Sequence, residues 1–174
     1  MALVASKSAT LDGPTHSAGP VFKRMRYTYN QSVTLKVGEA VCLDFTAADV
    51  AAYGYMRCVD IADGNVTAKA SVCGICTDLL DSAGLEGWIE VQVRGEYGPV
   101  SCDHALALND PVIASNDPPG DVKIYVESGL NPPFAICTWT DPGAAGNTHP
   151  VFGAIADDEA VIYMYDIYNL SAIL

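Results

Sequence analysis

The chain has 174 residues, half of them hydrophobic, and a formal net charge of −12. That length predicts one domain with at most an appendage, and enough apolar material for a real core. The acidic balance argues against a nucleic-acid surface, which needs clustered Lys and Arg.

No run approaches the ~20 apolar residues that span a bilayer. The apolar start Met1-Ala2-Leu3-Val4-Ala5 is too short for the core of a signal peptide. A soluble protein made in a cytoplasm is expected, without membrane or nucleic-acid partners. Cys42, Cys58, Cys73, Cys76, Cys102 and Cys137 are then expected as buried thiols rather than disulfides. The charge is uneven: residues 101–174 hold ten acidic side chains and a single basic one, Lys123. Either the two parts face different surroundings, or the later part is a solvated acidic surface.

Residues 1–26 read as an arm. Asp12-Gly13-Pro14 and Gly19-Pro20 break regular structure, and the residues between are small and polar. The arm ends in Val21-Phe22-Lys23-Arg24-Met25-Arg26, where three of the nine basic residues fall within four positions. That density points to a partner contact; the alternative is a strand start with a solvated charged face. From Tyr27 to Val37 the side chains alternate with period 2, which predicts a half-buried strand. A strand over Ala40–Phe45 follows, then a short helix over Ala47–Tyr53 capped by Thr46 and stopped by Gly54. Tyr55–Ile61 predicts another strand, and Ala62-Asp63-Gly64-Asn65 a hairpin turn.

The stretch Val72-Cys73-Gly74-Ile75-Cys76-Thr77-Asp78 predicts a strand with a glycine bulge or close backbone approach. Trp88–Arg94 predicts a strand with Ile89, Val91 and Val93 on one face, and Val100–Cys102 a weak one. Further strands are expected at Val112–Ala114, Val122–Glu127 and Phe134–Thr140, with a long loop over Asp141–Pro150. Val151–Asp157 repeats the V-x-G-x-x-x-D form of Val72–Asp78, followed by an acidic turn and a Tyr-rich strand. Short strands at intervals of roughly 8–12 residues predict an all-β fold, a small β-barrel or sandwich with an N-terminal arm and one short helix. The expected organisation is an arm over 1–26, a barrel over 27–115, and a β extension or second lobe over 116–174 that completes the same domain or stands beside it.

Chemistry-bearing constellations are few. Cys73, Cys76, Cys102 and His104 are the residue types of a zinc site. The first pair lies in a strand, however, where positions three apart point to opposite faces. Asp78, Asp81, Asp157, Asp158 and Glu159 could donate oxygens to calcium, but they lack the alternating Asp/Asn loop, and turn capping explains them better. No nucleophile signature and no phosphate-binding glycine loop is present, and His16, His104 and His149 read as surface histidines. No enzyme activity, cofactor or metal is expected.

The order and spacing of four segments carry a resemblance. Val37-Gly38-Glu39-Ala40-Val41-Cys42-Leu43, Val72–Asp78, Gly87–Gly95 and Ala107-Leu108-Asn109-Asp110-Pro111-Val112 together resemble the strand motifs of tailed-phage capsid decoration (cement) proteins, over roughly residues 37–115. The resemblance implies a non-enzymatic viral structural protein on the exterior of a bacteriophage head. It further implies a trimer at local threefold positions, partnered by the major capsid protein, with an arm clamping the shell. The arm would dock through Leu3, Val4, Val21, Phe22, Lys23, Arg24 and Arg26. A tail, baseplate or fibre adaptor, or a carbohydrate-binding module using Trp88, Trp139 and the tyrosines, are the alternatives.

Overall fold

The structure, a computed structural model, describes residues 19–28, 34–54, 57–66, 69, 71–81, 83–103, 105–125, 132–140, 148–156 and 158–165. Within these it is all-β apart from one helix. The strands are β1 (Val21–Tyr27), β2 (Ala40–Leu43), β3 (Cys58–Ile61), β4 (Val72–Asp78), β5 (Gly87–Ser101), β6 (Pro111–Ala114), β7 (Val122–Ile124), β8 (Ala135–Thr140), β9 (Thr148–His149), β10 (Gly153–Ala154) and β11 (Glu159–Met164). The helix, α1, is Ala47–Tyr53, as expected, and stops at Gly54 with φ of 91°. The side chain of Asp44 organises its approach: it accepts hydrogen bonds from the Thr46 N–H (2.8 Å) and the Thr28 hydroxyl (2.5 Å).

Strands β1, β3, β2, β4 and β5 follow one another around a closed barrel, because β1 pairs with β5 as well as with β3. The β1–β3 pairing is parallel and the others are antiparallel. A second ring grows from the same long strand. The later part of β5 pairs with β11, which pairs with β8, then β6, then β7. A parallel bridge between Cys102 and Val122 brings the chain just after β5 back to β7, and the Asp103 N–H donates to the Val122 carbonyl at 2.9 Å.

Strand β5 therefore belongs to both rings, and the handover falls at Gly95. Residues Gly87–Arg94 face β1, whereas Gly95–Ser101 face β11. Gly95 has φ of 93°, which side chains rarely adopt, and a Cβ there would crowd Pro20. The buried side-chain amide of Gln92 fixes the bend by donating to the Arg94 and Glu96 carbonyls, both at 3.0 Å. The glycine at this point explains why Trp88–Arg94 and Val100–Cys102 read as separate strands in sequence but form one continuous element.

Two apolar clusters fill the molecule. The barrel interior holds Met25, Tyr27, Val41, Val59, Cys73, Cys76, Ile89 and Val91 among others. The second cluster, with Val112, Val122, Phe134, Ala135, Cys137 and Ile162, also takes Ala40, Cys42, Val72 and Ile75 from the barrel's β2 and β4. The barrel wall thus packs against the second ring, and each large aliphatic side chain so buried contributes about 1.5–3 kcal/mol.

Strand β4 serves both clusters through a bulge. Val41 pairs with Gly74 but Cys42 with Val72, so Cys73 is an extra residue on the β4 side. The bulge resets the alternation. Cys73 and Cys76, expected on opposite faces, both enter the barrel core, while Val72 and Ile75 enter the other. Gly74 is required because an added Cβ would strike the Gln92 carbonyl oxygen and the Val91 side chain.

Other expectations are corrected. The strand expected over 27–37 ends at Tyr27; residues 34–36 are irregular and 37–38 form a turn, while 29–33 lie outside the described residues. The regular strand is instead Val21–Tyr27, because Met25 and Tyr27 supply the buried side chains that close the barrel. Val21–Arg26 therefore belong to the sheet rather than to an arm; residues 1–18, with Leu3 and Val4, lie outside the described residues. The turn at Asp63–Val66 forms, yet it does not make a hairpin, since β2 lies between β3 and β4. Gly64 and Asn65 bond instead to the Ser115 and Asn116 carbonyls, at 2.6 and 2.7 Å, beside the second ring. Val151–Asp157 is not a second copy of β4. Val151 is 75% exposed and Gly153 sits in a two-residue pairing of β9 with β10, whereas Gly74 lies inside a buried strand.

Candidate functional site on the outer barrel face

Alternation along β1 splits the basic cluster. Met25 and Tyr27 point inward, and Lys23 shares their phase, while Phe22, Arg24 and Arg26 fall on the outer phase. The register sets Arg26 opposite Trp88 and Arg24 opposite Glu90 on β5. The Arg24 guanidinium lies over the Trp88 ring, 5.0 Å from its centroid. The Arg26 guanidinium lies at the same distance over the Tyr53 ring at the end of α1. Tyr53 and Trp88 meet edge to face, with centroids 6.1 Å apart. Cation–aromatic contacts of this kind contribute about 0.5–1 kcal/mol each at exposed sites.

The arginines are not equivalent. Arg26 makes a 2.6 Å ion pair with Glu86. Burial opposes its charge, but the hydrogen bond to Glu86 and the nearby Tyr53, Glu86 and Asp81 outweigh it, and its pKa is raised. Arg24 has no ion pair among the described residues; its cross-strand neighbour Glu90 accepts the Thr77 hydroxyl, at 3.0 Å. Arg57, just before β3, joins through the backbone: its carbonyl accepts the Arg26 N–H at 2.7 Å. Arg24, Arg57 and Trp88 line an open pocket of about 420 Å³.

The expected docking residues thus separate. Phe22, Arg24 and Arg26 lie together on one face, Phe22 47% exposed; Val21 packs against the barrel core; Lys23 turns to the other side; Leu3 and Val4 are not described. Arg57, Trp88 and Tyr53 complete the face and were missed as partners of the cluster. Only the pairing of β1 with β3 and β5 could have revealed them, since they lie far apart in sequence.

Among the described residues the cysteines join no cluster of metal ligands. Cys73 and Cys76 lie in the barrel core and Cys102 in the second cluster, while His104 lies outside the described residues. Burial pushes Cys42, Cys76 and Cys102 up to about 12 and Cys137 to about 11, and raises Cys73 too, so these thiols rest uncharged and unreactive. Three of the acidic residues weighed for calcium accept backbone N–H groups. Asp78 accepts the Leu80 N–H (3.1 Å), Asp81 the Trp88 N–H (2.5 Å) and Glu159 the Ala156 N–H (3.0 Å); Asp157 is not described.

His149, expected at the surface, is buried. Its Nδ1 accepts the Val151 and Phe152 N–H groups, both at 3.2 Å, and its ring packs against Trp139 and Phe152. The histidine thereby closes the turn between β9 and β10. Trp88 and Trp139 sit on different rings, and each meets its aromatic neighbour edge on. No known protein family, curated protein or solved structure matches this chain.

Proposed function

We propose that this chain is a non-enzymatic capsid decoration protein that binds and stabilises the outside of a tailed-phage head. Its partner is the major capsid protein, and its working form is a homotrimer on the shell. The resemblance that motivates this reading covers β2 to β6, which is four of the five barrel strands, without β1, plus one strand of the second ring.

The observation that carries the docking side of the reading is the outer barrel face. On a chain of net charge −12, Arg24 and Arg57 flank an aromatic floor at Trp88, with Phe22 exposed on the same strand. Aromatic and arginine side chains are the residues that most often dominate interface energetics. The acidic residues beyond 101 would then face solvent and keep particles apart. In a symmetric lattice, many weak contacts of this kind add through multivalency.

The test is co-sedimentation with tail-free heads of the phage whose genome encodes the chain. Wild-type protein should saturate the heads, and the Arg24→Glu/Arg57→Glu variant should bind at least about tenfold more weakly, a loss of ~1.4 kcal/mol. Undiminished binding of that variant would remove the barrel face from the account.

A further inference from the structure

We propose that the opening between Arg24 and Arg57 is a pocket for a carboxylate, an Asp or Glu side chain presented by an acidic segment of the partner protein. The inference rests on the docking reading above and narrows its chemistry. Arg26 shows a carboxylate-paired guanidinium on this face: it lies over Tyr53 and holds Glu86 at 2.6 Å through one terminal nitrogen, while its Nε is buried without a partner. Arg24 repeats the first half of that arrangement, lying over Trp88 at 5.0 Å, but lacks the carboxylate. The acid that the register offers it, Glu90, is held by Thr77. Arg57 borders the same opening, and no ion pair holds it among the described residues.

Two guanidinium groups beside an indole floor suit a planar anion, since a carboxylate accepts paired N–H donors in the guanidinium plane. The pocket, about 420 Å³, is open to solvent rather than enclosed, which suits a side chain presented from a partner surface.

The test uses the full chain labelled with ¹⁵N and follows the indole N–H signals of its two tryptophans. Capped tetraglutamate should shift the Trp88 signal saturably at millimolar concentration and leave Trp139 unmoved. Capped tetraglutamine should shift neither. The Arg24→Gln/Arg57→Gln variant, shown by circular dichroism to be folded, should lose the shift. No shift, an equal shift in that variant, or a shift by inorganic phosphate as strong as that by the peptide would overturn the carboxylate pocket. The same variant separates the two levels of the account. Full binding of the variant to heads would reject the pocket as the docking site while leaving decoration intact, and peptide binding by the wild type without head binding would reject decoration while leaving the pocket.

Discussion

Gly74 marks the point where two strands approach too closely for any side chain. An added methyl group would meet the Gln92 carbonyl and Val91, both part of the rigid β5 backbone or its core packing. Gly74→Ala should therefore lower stability by about 1–3 kcal/mol in urea unfolding. An unchanged midpoint would mean that β4 can shift, and with it the bulge that directs Cys73 and Cys76 inward. Glu39 gives a second test at a single side chain. It is buried beside Gly120, accepts the Lys36 N–H at 2.7 Å, and burial raises its pKa. A carboxyl whose folded pKa is raised favours folding when protonated, and that contribution fades as pH rises through the folded value. Glu39→Gln should thus melt higher than wild type at neutral pH. The gap should close as pH falls toward about 4, where the unfolded glutamate is also protonated. A gap that widens on acidification would contradict the assignment.

At the scale of elements, β1 and β5 carry the architecture. β1 closes the barrel by joining β3 to β5 and places Met25 and Tyr27 in the core. Deleting residues 2–18 should leave a cooperative unfolding transition, whereas deleting 2–27 should abolish it, as followed by circular dichroism on heating. Equal folding of both deletions would contradict the role of β1. Much of this was legible in sequence. Alternation at Ile89, Val91 and Val93 marked the barrel-facing side of β5, and Gly54 marked the end of α1. What was not legible depended on partners remote in the chain. Period 2 from Tyr27 onward looked more regular than the true strand, because Lys23 and Arg24 interrupt its apolar pattern. The arginine cluster was visible; its meeting with Arg57, Trp88 and Tyr53 was not, since a strand register determines it. His149 looked superficial because nothing nearby in sequence predicts that it caps its own turn.

The whole molecule is two rings that share β5, with the acidic excess concentrated in the later residues. Arginines gather on the outer face of the barrel, while residues 101–174 hold ten acidic side chains against one lysine. A local basic patch on an acidic chain makes encounter rates with a charged partner sensitive to salt. In the proposed decoration role, the arginine-bearing barrel face is the side turned toward the shell. The most direct measurement is the number of copies bound per purified head, by quantitative mass spectrometry, for wild type and for Arg24→Glu/Arg57→Glu. The account predicts many wild-type copies spread over the shell and a strong loss for the variant. Few copies confined to the tail, or full occupancy by the variant, would contradict it.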